Sequence, residues 1–349
     1  MDCRLFAVVF ALSAVGCFTD AQPSTDDDVG STGNATSGST STGEAPESTG
    51  ELDTSSGVVD PTVDGSSSST SACELVTVPV PVAAVDIAMV LDSSSAMLDN
   101  AQEVQTALDG ISDVFPENEL HRFILMSPLE TENNVDFCMP PPLGGPICGV
   151  DRIPHFTHVD VDTRQATADP LGEMITALGM GVQSIRPASQ KHLVVVTDGD
   201  VLATPDALAG AIRELGPEFI HARVHGISGG RAGGCEDDMR LDALVTLLGG
   251  QSVDLCPLEG SPELFGTLLE PRPSCIVDVN VEGDIEGALL VSGEQEIELA
   301  YVDSLDDCSP TQPAATILEG ALFLCPRTCR DFQDTVAANP AELELFVCE

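Results

Sequence analysis

The chain has 349 residues, 13 Lys+Arg against 57 Asp+Glu, and a formal net charge of −44. That balance excludes nucleic-acid binding and docking on anionic lipid through a basic patch, because both need Lys and Arg against phosphates. Hydrophobic residues at 42% allow a core for about two domains, while no Trp and a single Tyr exclude aromatic stacking platforms for sugars or bases.

Residues 1–17 read as an export leader. Arg4 gives a weak positive start, and the apolar run Leu5 to Gly16 is shorter than the roughly 20 residues that span a bilayer. The end of the leader, Ser13-Ala14-Val15-Gly16-Cys17, resembles a bacterial lipobox, with Ala14 where that family usually has Leu. The resemblance implies that Cys17 is lipidated and anchors the chain in the bacterial cell envelope. Phe18 after the cysteine favours the outer membrane or cell surface. The alternative is ordinary cleavage near Ala21 and a secreted protein. With Cys3 removed and Cys17 lipidated, ten cysteines remain: Cys73, Cys138, Cys148, Cys235, Cys256, Cys275, Cys308, Cys325, Cys329 and Cys348. An even set suits disulfides in an oxidising compartment.

Residues 18–72 are rich in Ser, Thr, Gly and acids and hold no base. With so few large apolar side chains they cannot offset the entropy of folding, and they read as a disordered, self-repelling tether. From Cys73 the texture changes. Val85 to Leu91 reads as a buried strand, Val104 to Phe115 as a helix and Arg122 to Met126 as a second strand. Residues 128–152 form a Pro/Gly-rich excursion. A helix follows from Leu171 to Ile185, then a central strand from His192 to Thr197. Pro205 to Leu215, Met239 to Leu248 and Pro262 to Leu269 are helical, and Phe219 to Ile227 and Ser252 to Leu255 are strands between them. This alternation predicts an α/β, doubly wound, mostly parallel sheet with helices on both faces over residues 73–270. Beyond it, Cys275 to Val281, Glu296 to Val302, Leu318 to Leu324 and Glu342 to Val347 read as strands. Residues 271–349 are therefore expected to form a small, disulfide-rich, mainly β module.

In an open parallel sheet, ligands bind at the carboxyl edge of the strands. Two strand ends are polar there: Leu91-Asp92-Ser93-Ser94-Ser95-Ala96 and Val196-Thr197-Asp198-Gly199-Asp200. Between them Ala168-Asp169-Pro170-Leu171-Gly172-Glu173 opens a helix. These pieces, in this order, resemble the von Willebrand factor A (vWA) domain, over roughly Val82 to Glu270. The end of the chain, with Cys325-Pro326-Arg327-Thr328-Cys329 and Phe346-Val347-Cys348, looks like the tails of bacterial surface lipoproteins that carry such domains. The family implies a metal-ion-dependent adhesion site in which Mg²⁺ or Ca²⁺ keeps one position for a partner's carboxylate. Hard cations take oxygen ligands. Here Ala96 stands where the second serine belongs, and Asp169 replaces a threonine. The implied ligands are Asp92, Ser94, Asp169 and Asp198. Either Asp169 compensates for Ala96 and makes a more anionic site, or the site has decayed and Ser94 or Asp169 caps a helix.

Three other signals carry less. Gly226-Ile227-Ser228-Gly229-Gly230 matches the elbow of serine hydrolases. That elbow needs a helix directly after it and a histidine later in the chain, and the last histidine is His225. His155 and His158 lack the helical spacing of a zinc pair. Cys325 and Cys329 are separated by three residues rather than by the two of a redox dithiol. Local disulfides Cys138–Cys148 and Cys235–Cys256 are expected, with the other pairings open. The sequence thus points to a non-enzymatic surface protein that binds a protein partner, with a metal-free envelope scaffold as the alternative and a hydrolase using Ser228 as a distant third.

Overall fold

The computed structural model describes residues 73–348, apart from 95–96, 98–99, 117, 129–136, 148–149, 164–168, 182–184, 198–202, 229–238, 255–260, 294, 310 and 336–340. The leader with Cys17, the tether, Ala96, Asp198, Asp200, Cys148, Cys235 and Cys256 lie outside the described residues.

A six-stranded sheet is built from Val85–Leu91 (β2), His121–Met126 (β3), Phe156–Val159 (β4), Gln190–Thr197 (β5), Arg223–Ser228 (β6) and Ser252–Asp254 (β7). Its order is β4-β3-β2-β5-β6-β7 and every pairing is parallel. A parallel sheet must be covered on both faces, so the centres of its strands β2, β3 and β5 are runs of apolar residues. All seven residues of β2 are buried. Val85, Ile87, Met89 and Leu91 enter one core, and Ala88 and Val90 enter the other.

The helices divide between these cores. Ala101–Val114 (α1) and Ser261–Leu268 (α5) cover the first face, with Val104, Leu108 and Ile111 at helical spacing against Phe265. Pro170–Gly179 (α2), Pro205–Glu214 (α3) and Met239–Leu247 (α4) cover the second, through Met174, Leu208, Ile212 and Leu244. Each such side chain contributes about 1.5–3 kcal/mol on burial. In α3, the hydroxyl of Thr204 accepts from the N–H of Ala207, and Pro205 fills the first helical position, which needs no donor. The doubly wound α/β layout is therefore present. Two boundaries differ from expectation. α2 stops at Gly179 rather than Ile185, because Gly181 turns the chain at φ +86°. β6 starts at Arg223, because Pro217–Phe219 is a 3₁₀ turn.

The second sheet has seven strands. It joins Cys73–Val80 (β1), Ile276–Asp278 (β8), Asp284–Ser292 (β9), Gln295–Tyr301 (β10), Ala314–Leu318 (β11), Ala321–Leu324 (β12) and Ala341–Cys348 (β13). The order is β1-β13-β9-β10-β11-β12-β8, antiparallel except for β10 with β11. The helix Pro326–Thr335 (α6) seats Cys329 and Phe332 in its core. The mainly β, disulfide-bearing character holds, but not the expected extent. β1 pairs with β13 along its whole length, so this sheet draws on both ends of the described chain rather than on 271–349 alone. The single strand expected at Leu318 to Leu324 is a hairpin, turned at Glu319 and Gly320 with φ of 50° and 82°.

Two linkers connect the sheets. Residues 81–84 and 271–274 run side by side, with Ala83 N–H donating to Arg272 O at 2.8 Å and Ser274 N–H to Pro81 O at 2.8 Å. Beside them, Asp86 is buried on β2 and ion-paired to Arg186, whose backbone N–H and the Ser189 hydroxyl also donate to it. Among the described residues no helix is long and apolar enough to cross a membrane.

Candidate functional site

The chain runs outward from β2 to β3 and β4, then returns to the other side of β2 as β5. Loops leaving β2 and β5 therefore diverge, and the crevice between them is where ligands bind in open sheets of this kind. Asp92 follows β2 directly, and Thr197 ends β5. Asp92 N–H donates to Val196 O at 2.8 Å, which ties the two strand ends together.

Asp92 is buried. Its Oδ1 accepts from the N–H of Ser94 at 2.8 Å, and its Oδ2 accepts from the hydroxyl of Thr197 at 2.9 Å. Burial pushes its carboxyl above the usual range, and the bonds from Ser94 and Thr197 pull it back. The segment after β4 closes over the same edge. The Thr163 hydroxyl donates to Leu91 O at 2.7 Å, and Thr163 O accepts from Ser93 N–H at 3.3 Å. That segment leads to Asp169 at the cap position of α2.

Asp169 makes no side-chain cap hydrogen bond, although it occupies the position where an aspartate would. Its Oδ1 and the hydroxyl of Ser93 are buried without a hydrogen-bond partner among the described residues. A carboxylate oxygen kept from water and from donors is costly and calls for a cation or solvent. The structure thus brings Asp92 and Ser94 together and places Asp169 on the same sheet edge; Asp198 lies outside the described residues. Carboxylates retain acceptor capacity beyond one bond per oxygen, so this all-oxygen donor set fits a hard cation such as Mg²⁺ or Ca²⁺. Sequence reasoning missed Thr163 and did not name Thr197 as a site residue. Thr197 was visible as the residue before the Asp-Gly loop. Thr163 carries no motif.

Beside this edge, a cavity of about 740 Å³ opens between β4 and α2, with Asp160, Asp162 and Glu173 among its walls. Ile153 and Met180 stand at it 78% and 79% exposed.

The remaining sequence candidates have structural explanations. Ser228 ends β6, and Gly226 of the same motif is a packing glycine: a Cβ there would lie 2.9 Å from Leu241 of α4. His158 turns its ring into the protein, with Nε2 at 2.9 Å from the Ser127 hydroxyl, while burial lowers its pKa. Cys325 and Cys329 do not pair with each other. Among the described residues the disulfides Cys73–Cys348, Cys275–Cys329 and Cys308–Cys325 form, and Cys138 is disulfide-bonded as well.

No protein-family model matches the chain, and no curated protein does. Among solved structures it is similar to the pilus adhesin SpaC from Lactobacillus rhamnosus GG. The open conformation is 13% identical over 76% of this chain and 39% of the adhesin, at a TM-score of 0.30. A second crystal form is 12% identical over the same shares, at 0.31. The chain spans about two-fifths of the adhesin's length.

Proposed function

We propose that the protein is a non-enzymatic, lipid-anchored surface protein of the bacterial envelope, whose vWA-like part binds a protein ligand at the Asp92 edge of the parallel sheet. The observation that carries this reading is the buried, unpaired Oδ1 of Asp169 on the same edge as the buried Asp92. A helix cap would have used that oxygen on a backbone N–H. A ligand set would leave it for a cation. Asp92, Ser94, Asp169 and Asp198 are the proposed ligands of Mg²⁺ or Ca²⁺. When bound, the ion supplies an open position for a partner's carboxylate. The cavity between β4 and α2, with Asp160, Val161, Asp162 and Glu173 on the wall nearest this edge, supplies further contact surface beside it.

Calorimetry tests the site. The protein takes up Ca²⁺ or Mg²⁺ at millimolar concentration or below, and Asp169→Ala and Asp198→Ala abolish the heat while the far-ultraviolet circular dichroism is unchanged. Absence of any heat in the unmodified protein refutes the metal site and leaves the metal-free scaffold reading.

A further inference from the structure

At the opposite edge of the parallel sheet from Asp92, the amino ends of β5 and β6 face the second sheet. A cavity of about 20 Å³ lies between them, walled by Gln190, Lys191, His192, His221, Arg223 and the Cys275–Cys329 disulfide. One water takes roughly 10–15 Å³ by that measure, so the space suits a single small species.

Its walls carry unpaired polar atoms. Nε2 of His192, a residue 5% exposed, Nε2 of Gln190 and both ring nitrogens of His221 are buried without a partner among the described residues. The proton order of the two neighbouring imidazoles follows from their contacts. The backbone N–H of Gln251 donates to Nδ1 of His225 at 3.1 Å, so that nitrogen bears no proton. A neutral ring then carries its proton on Nε2, which donates to Nδ1 of His192 at 3.0 Å. His192 in turn holds its proton on Nε2, the atom without a partner. Burial keeps both rings neutral: His225 is pushed down to about 3 and His192 well below its usual value.

This order excludes a cation. For Nε2 of His192 to ligate a metal, its proton would have to move to Nδ1, and His225 would have to shift its own proton to Nδ1, against the N–H of Gln251. Nor do His221, Cys275 and Cys329 form a thiolate site, although their ligand atoms lie within 4.8 Å of one another, because both sulfurs are in a disulfide. Charge points the same way. Two cations, Lys191 and Arg223, line the cavity and no Asp or Glu does among the described residues, in a chain with 57 acids and 13 bases. Lys191 spends its three donors on the carbonyls of Arg186, Pro187 and Ser189, and Arg223 donates to Gln333. They supply positive potential, and the neutral N–H groups supply contacts.

We propose that this cavity binds one small monovalent anion of halide size. The Nε2–H of His192, the side-chain amide of Gln190 and a ring N–H of His221 hold it between the two sheets. The test is thermal unfolding of the whole protein in sodium gluconate, with chloride or bromide exchanged in at constant ionic strength. A halide bound only by the folded state gives a saturating rise in Tm of a few degrees. That rise is lost in Gln190→Leu and in His192→Phe; if His192→Phe does not fold, Gln190→Leu carries the comparison. Crystals grown in bromide show an anomalous peak in the cavity, and nitrogen-15 spectra show His192 protonated at Nε2. A Tm indifferent to halide with no anomalous peak, the signature of a water only, overturns the proposal. So does a His192 protonated at Nδ1.

Discussion

The Thr197 hydroxyl reaches 2.9 Å across from the end of β5 to the buried Oδ2 of Asp92 at the end of β2. That bond and the one from Ser94 do not compensate for burial, which raises the Asp92 pKa above 3.8. A carboxyl raised in the folded state holds more protons there than when unfolded. Its stabilising contribution is present below the unfolded value and is lost as the pH rises through the folded one. In chelator, the wild type is expected to lose stability relative to Asp92→Asn as the pH rises above about 4, the unfolded value. Ca²⁺ or Mg²⁺ then restores the wild type and leaves the variant unchanged. Urea unfolding of both proteins at several pH values measures the difference. Parallel profiles would mean that Asp92 carries no uncompensated charge.

Gly226 separates packing from chemistry in the Gly-x-Ser-x-Gly segment. A Cβ there would sit 2.9 Å from Cδ2 and 3.0 Å from Cγ of Leu241, which presses α4 onto β6. Gly226→Ala is expected to cost about 1–3 kcal/mol, the usual range for overpacking a core. Ser228→Ala should leave stability nearly unchanged, and ester probes should be turned over equally slowly by both proteins. Probe hydrolysis that disappears with Ser228→Ala would restore the hydrolase reading.

The parts that sequence conveyed are those where one local rule governs. Ile87 to Leu91 of β2 and Leu193 to Val196 of β5 are continuous apolar runs because both faces are covered, and such runs are visible without knowing their neighbours. α6 shows the opposite case. Only Cys329 and Phe332 are apolar in its buried stripe; Thr328 and Gln333 share that stripe by accepting from Ala314 N–H and Arg223. A polar residue buried by such a bond looks like a surface residue in the sequence. β1 escaped for a related reason, since it lies at the edge of its sheet and five of its eight residues are exposed. At the candidate site, Asp92, Ser94 and Asp169 were found through a motif. Thr163 was not, because its bond to Leu91 spans 72 residues and exists only once β2 and β4 share a sheet.

The neutral histidines make an acid-labile junction between the two sheets. His221 and His225 are pushed down to about 3 by burial, and His192 is lowered for the same reason. The unfolded chain therefore takes up protons first, near pH 6.5, while the folded state does not. Their contribution is complete above that value and is lost as the pH falls toward 3. Each such histidine adds up to about 1.4 kcal/mol per pH unit to the slope. His225→Gln keeps a neutral acceptor and donor, and should flatten the profile between pH 6.5 and 4 relative to the wild type. Urea midpoints across that range decide the point, and an unchanged slope would show that His225 charges freely in the folded protein.

Cys73 and Cys348 face each other in register at the ends of β1 and β13, and their disulfide closes a separation of 275 residues. β1 pairs with β13 alone, and Leu75 on it is half exposed, so little apolar burial holds this edge. The crosslink restricts the unfolded chain, an effect of about 2–4 kcal/mol for typical disulfides. Replacing both cysteines by serine, which leaves no free thiol, is expected to lower stability by about that amount. It should also release the amides of β1 to rapid hydrogen exchange. The amides of β2 and β5, buried on both faces in the other sheet, should keep their protection. Loss of protection in β2 and β5 to the same degree would show instead that the two sheets unfold as one cooperative unit.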